Sequence, residues 1–191
     1  MSIVLTKGGS ISLDKEAPGI TTAKLGLKWD VSNSGSAVDL DAAALLLNAE
    51  RQLVDTKNFV YFGNLSDSSK AVTHSGDNLT GEGDGDDEVV TIDLTKVPAD
   101  VAVIPVAIVI FEAEARKQTF GLVNKASARV LDGSNGDKEL AVSDLSEDHG
   151  QHTIYIPGEF YRHGDGWKYK AIDQGLSGGF KELLASYGYN V

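Results

Sequence analysis

No cysteine occurs among the 191 residues, which excludes disulfides, thiolate metal sites and cysteine nucleophiles together. Base is also scarce: 17 Lys and Arg face 28 Asp and Glu, a formal charge of -11. Such a field repels nucleic acid and disfavours direct contact with anionic lipid, unless bound cations bridge the two. No apolar run approaches the roughly 20 residues that span a bilayer. The opening MSIVLTKGGS has neither a long apolar core nor a small-residue cleavage site, so it does not resemble a secretory signal. The expectation is a soluble cytoplasmic protein. Catalytic signatures are missing too: there is no G-x-S-x-G elbow, H-E-x-x-H pair or Walker loop. The four histidines (His74, His149, His152, His163) are scattered. His149 and His152 have no companion acid at metal spacing, so all four are expected to be satisfied or exposed. The length suits one domain covering residues 1–191.

What is abundant is acid and glycine in one place. Gly76 to Val89, GDNLTGEGDGDDEV, carries Asp77, Glu82, Asp84, Asp86, Asp87 and Glu88 with four glycines and no base. The charges repel unless something cationic sits among them. Glycine lets the backbone fold back so that several oxygens face one centre, and oxygen-only donors suit a hard cation of calcium size. A solvated loop that binds nothing is the alternative, and composition alone does not choose between them. A second acidic feature is Asp39-Leu40-Asp41. On a strand, residues two apart face the same way, so both carboxylates project from one face and need a cation or a basic partner. If the loop folds over that end, six or more oxygens converge on one or two ions.

Known motifs fit poorly. Asp84-x-Asp86-x-Glu88 has the opening spacing of an EF-hand, but Val89 stands at the obligatory glycine and no flanking helices are evident. The repeat-in-toxin nonapeptide is matched loosely and only once. A phosphate cradle is opposed by six local negative charges. Paired acids such as Asp86 and Asp87 suit acid–base chemistry in principle, but no convincing base accompanies them.

Most apolar residues recur at strand spacing between turn residues. Ser2–Leu5 and Ser10–Leu13 suggest a hairpin around Lys7-Gly8-Gly9. Thr22–Asp30 alternates cleanly. Asp39–Leu47 starts polar and turns continuously apolar, suiting a buried strand, although its alanines and leucines also suit a helix. Asn58–Phe62, Glu88–Leu94 and Val101–Phe111 follow, with Pro105 expected to bend the last or leave one of its edges free. Ala126–Val130 and Glu139–Val142 form a hairpin across Asp132–Gly136. Thr153–Ile156, Glu159–Arg162 and Trp167–Ile172 are further strands, and a helix follows Gly178-Gly179. The expected class is mainly β: a β-sandwich with a few short helices, including one at the C-terminus.

Nearly end to end, the chain resembles the TerD-type tellurium-resistance and bacterial stress-protein family. The matching pieces are LTKGGSISLDKEAPG, GLKWD, VDLDAAALLL, HSGDNLTGEGDGDDEVVTIDLTKVPADV, EARKQTFG, DLSEDHGQHT, GEFYRHGDGWKYKA and LSGGF. The resemblance implies a β-sandwich that binds calcium, with two ions expected, and partners among other stress and tellurite-resistance operon proteins. It implies ligands at Asp39, Asp41, Asp77, Asn78, Asp86, Asp87 and Glu88, with Leu40 inside the site segment. Gly81 and Gly83 would offer backbone oxygens and Asp84 is a further member. Two departures stand out. Phe111-Glu112-Ala113-Glu114 places Glu112 where relatives have an aspartate ligand, and Asp173 replaces a usual glycine. The function expected is a non-enzymatic calcium-binding module of a resistance system. Alternatives are a calcium-bridged membrane-surface component and a metal-dependent hydrolase. Without cysteine, the chain cannot handle tellurium through thiols.

Overall fold

A computed structural model describes residues 3–30, 37–81, 84–145 and 149–190. Its strands are β1 (Ile3–Val4), β2 (Ser10–Ser12), β3 (Thr22–Asp30), β4 (Leu40–Leu45), β5 (Phe59–Val60), β6 (Val72–His74), β7 (Glu88–Asp93), β8 (Val103–Ile110), β9 (Asn124–Asp132), β10 (Lys138–Asp144), β11 (Ile154–His163) and β12 (Gly166–Leu176). Among the described residues three short α-helices accompany them: α1 (Leu13–Glu16), α2 (Ala113–Arg116) and α3 (Phe180–Ser186). The strands form two six-stranded sheets, ordered β1-β10-β9-β3-β7-β6 and β2-β12-β11-β8-β4-β5.

Alternation explains the first sheet. Ala23, Leu25, Leu27 and Trp29 of β3 are all buried, and so are Val90 and Ile92 of β7 and Ala126, Ala128 and Val130 of β9. These join Leu40, Ala42, Ala44, Ile104, Val106, Ile108 and Ile110 from the second sheet in one apolar cluster. The intervening residues of β4 and β8 (Ala43, Leu45, Val103, Ala107, Val109) belong to a second cluster that Leu183 and Leu184 of α3 complete. Both faces of β4 and β8 are therefore covered. That is why their sequences are continuously apolar rather than alternating.

The expected class is what forms, with corrections inside it. β1 and β2 are not a hairpin: β1 pairs parallel with β10 and β2 antiparallel with β12, in different sheets. The turn between them, with Gly8 at φ +82°, passes the chain from one sheet to the other. Within Asp39–Leu47 the expected buried strand forms over Leu40–Leu45, and the helical alternative does not. The Thr153–Ile156 and Glu159–Arg162 segments are one strand, β11, interrupted by a register shift between Ile156 and Gly158. Strand β8 is central, and Pro105 interrupts its ladder with β4 without ending it. The pairing runs to Ala44–Val106, skips the proline that has no N–H to give, and resumes in the same register at Leu47–Val103.

Candidate metal centre

The first half of β4 lies beside a gap. β5 pairs only with Ala44 and Leu45, so among the described residues the edge before them has no strand neighbour to satisfy it. Side chains from the other sheet fill the gap. Glu88, the first residue of β7, accepts from Ala42 N through Oε2 at 2.7 Å. His74, the last residue of β6, places Nε2 3.1 Å from Ala42 O. Gly76 N donates to His74 Nδ1 at 3.0 Å, so the ring proton is on Nε2, which points at both Ala42 O and Glu88 Oε2 (3.2 Å). The other Glu88 oxygen accepts from Asn78 N at 3.1 Å. Glu88 is fully buried and thus pins the Gly-rich loop between β6 and β7 to the edge of β4.

That pin brings Asp77 to Asp39 and Asp41. One carboxylate oxygen from each of the three lies within 4.8 Å of the others. Asp39 and Asp41 are 5% and 1% exposed, whereas Asp77 is open to solvent. Asp39 Oδ1 and Asp41 Oδ2 are buried and have no hydrogen-bond partner among the described residues, a costly condition for a carboxylate. Burial, reinforced by the charges of Glu88, Asp39 and Asp77, pushes the Asp41 carboxyl up to about 8. Burial and then Asp77 push Asp39 up to about 6, opposed by Arg116. That arginine is 3.9 Å from Asp39 Oδ2 and also 3.4 Å from Glu112 Oε2, so one guanidinium is shared. A set of hard oxygens, two of them orphaned in the interior, fits a hard divalent cation of the calcium type. It does not fit a soft metal.

The remaining expected site residues differ in what each is engaged with. Asn78 spends its Oδ1 on Thr80 N (3.2 Å) and Gly81 N (3.1 Å), shaping the loop. Asp87 accepts from Trp29 N at 3.0 Å, and Asn78 Nδ2 approaches its other oxygen at 3.4 Å. Gly81 has φ +71° and crosses over the Trp29 indole, where a Cβ would come within 2.5 Å of Nε1. Asp86 turns away to Arg129, whose Nε and Nη2 donate to its Oδ1 at 3.0 and 2.7 Å. Asp84 is exposed, and Glu112 borders the cluster through Arg116. Leu40 is buried with its side chain in the core. Gly83 lies outside the described residues.

Sequence reasoning missed His74, Arg116 and Arg129 as parts of this region. Arg116 had a signal, since Glu112 and Arg116 are four apart in a segment that becomes helical. Arg129 had none, because its partner is 43 residues away.

With that geometry in view, comparison with known proteins is informative. The TerD domain model matches residues 1–187. The tellurium resistance protein TerD of Serratia marcescens is 44% identical over 191 residues, covering 100% of this chain and 99% of its own. General stress protein 16U of Bacillus subtilis is 40% identical over 193 residues, covering all of both chains. A crystal structure of a TerD homologue from Streptomyces coelicolor superimposes with a TM-score of 0.74 over 91% of this chain and 100% of that one. At 23% identity, that likeness speaks for the fold.

Proposed function

Since this chain belongs to the TerD family, we propose that it is a calcium-binding, non-catalytic component of a bacterial tellurite and chemical-stress resistance system. Calcium would be held by Asp39, Asp41 and Asp77. The observation that carries this reading is the pair of buried carboxylate oxygens, Asp39 Oδ1 and Asp41 Oδ2, that have no partner among the described residues. The cation supplies the positive charge that three crowded carboxylates lack, and it fastens the loop to β4 where Glu88 already holds the backbone. A role in resistance is supported by relatives named for tellurium resistance and for general stress. Action without catalysis is supported by His74, whose two ring nitrogens are both engaged and supply no base beside the cluster. We place the protein in the cytoplasm, working with products of the same kind of operon through the surface that the ion orders.

Calorimetric titration of chelator-stripped protein with calcium, then magnesium, tests the reading. Micromolar calcium binding with a weak magnesium response, lost in Asp41→Asn, is the expected result. The cluster accounts for one ion. A stoichiometry of two would place the second on the remaining loop acids. No heat with either metal would leave the loop a solvated acidic surface and end the proposal.

A further inference from the structure

Where α3 meets the end of β5, the second apolar cluster does not close. Phe59 and Leu184 are buried, but Tyr61 and Phe180, which pack against them, are only partly covered. Beside these four side chains lies a cleft of about 450 Å³, within the size range of small-molecule sites. Its walls are preformed. The Phe59 and Tyr61 rings stack with centroids 4.6 Å apart, and the Phe180 ring stands 5.6 Å from the first and 5.2 Å from the second. Gly63 makes room for the Tyr61 ring, since a Cβ there would come within 2.6 Å of its Cζ and hydroxyl.

The charged rim of the cleft has one sign. Lys57, in the turn Thr56–Asn58, and Lys181, in the first turn of α3, both line it, and among the described residues no acid does. The chain has 28 acids against 17 bases, so two lysines from separate elements on one apolar cleft make a local positive field in an acidic protein. The adjacent acids are engaged with backbone: Asp55 Oδ1 accepts from Lys57 N at 2.9 Å, and Glu182 Oε2 from Gly179 N at 2.8 Å. Neither lysine ammonium has a hydrogen-bond or ion-pair partner among the described residues.

An extended peptide would join the sheet here only through an open edge of β5. Asn64 closes that edge. Its Nδ2 donates to Phe59 O at 2.7 Å and lies 3.4 Å from Lys57 O, which takes up the outward carbonyls. Asn64 is itself tied to Tyr61 by backbone hydrogen bonds in both directions, at 2.9 and 3.1 Å.

We propose that this cleft binds a small organic anion with a flat apolar body, of the aromatic carboxylate class. The body lies against Phe59, Tyr61, Phe180 and Leu184, and the carboxylate meets Lys57 and Lys181 at the rim. The cleft shares no residue with the Asp39, Asp41 and Asp77 cluster, and the proposal does not depend on the calcium reading.

The test is titration of the full chain, kept in calcium, with naphthoate, its neutral amide and naphthylmethylamine, read by aromatic proton–carbon resonances. One naphthoate per chain is expected with a Kd below about 1 mM. The ring signals of Phe59, Tyr61 and Phe180 should move, and those of Phe120, Phe160 and Tyr169 should stay. The amide should bind about 3- to 10-fold more weakly, and the amine more weakly still. Reversing the rim with Lys57→Glu and Lys181→Glu together should invert that order, and both side chains are exposed, so the fold should survive. Tyr61→Ala should abolish measurable binding of all three. Equal affinity for naphthoate and its amide, shifts centred on other rings, or no binding by the wild-type chain would each overturn the proposal. So would cleft shifts that follow protein concentration without any probe, which would assign the cleft to a second copy. Shifts produced by an acidic aromatic peptide but not by naphthoate would assign it to a protein partner and overturn the proposal too.

Discussion

Glu88 and Asp41 are buried carboxylates against the same stretch of β4, and their circumstances are opposite. Glu88 gives one oxygen to Ala42 N, with His74 Nε2 beside it, and the other to Asn78 N. Asp41 has an oxygen with no partner among the described residues and a carboxyl pushed up to about 8 by burial and its acidic neighbours. Burial alone therefore does not assign a role to an acid. Accounting for each lone pair does: Glu88 fastens two segments of backbone, whereas Asp41 has coordinating capacity that the protein itself leaves unused.

The sharpest way to break this contrast is to remove each acid. Glu88→Ala strips the acceptor from two backbone donors and a buried histidine, which should cost about 3–5 kcal/mol in chelator. For a chain of this length that is roughly 2–4 °C of melting temperature per kcal/mol. A loss below about 1 kcal/mol would erase the distinction. Asp41→Asn should behave in the reverse sense. In chelator at pH 8 it should melt at or above the wild type, because it deletes an uncompensated buried charge. Calcium at a hundredfold excess over Kd should stabilise the wild type by about 2.7 kcal/mol and this variant not at all. Thermal melts of both chains with calcium and with chelator give the four values needed.

How much of this was legible beforehand depended on where the partners lie. β3 could be read residue by residue because only one of its faces is buried along most of its length. The Asp39–Asp41 pair followed from strand periodicity alone. β4 and β8 lost their period because α3 covers their outer face, and a helix more than 70 residues downstream leaves no mark on local alternation. The hairpin expected from the first two strands failed for a similar reason. A glycine turn was visible, but their pairing with β10 and β12 was not. At the site, the loop's acids looked equivalent in sequence. The structure divides them by partners elsewhere in the chain: Asp86 by Arg129, Asp87 by Trp29 N, and Glu88 by Ala42 N.

A milder probe of the contrast is pH. The folded-state carboxyls of Asp39 and Asp41 stand at about 6 and about 8, above the usual value near 4. A group raised on folding stabilises fully below its unfolded value and loses that contribution as pH climbs through its folded one. Metal-free protein should therefore lose stability between about pH 4 and pH 8. Asp93, Asp173 and Glu182, held below the usual range chiefly by hydrogen bonds, act in the opposite sense and only on the acid side of that window. Calcium should flatten the decline, since it binds the ionised pair, and its affinity should rise with pH. Chelated melts that stay level from pH 5 to pH 8 would contradict this.

The smallest effect belongs to the acid that already has a cation. Arg129 donates twice to Asp86 Oδ1, and its Nη1 lies 3.3 Å from Glu139 Oε2. The arginine is about one-third exposed, so solvent screens much of the attraction. Arg129→Met should cost about 1 kcal/mol, equally with calcium and with chelator. Calcium affinity should change less than twofold, because Asp86 faces away from Asp39, Asp41 and Asp77. A tenfold change in affinity would instead mean that Asp86 swings between Arg129 and the ion. Glu88 would then be the boundary of a larger ligand set, and the division between fastening and coordinating acids would have to be drawn one residue earlier.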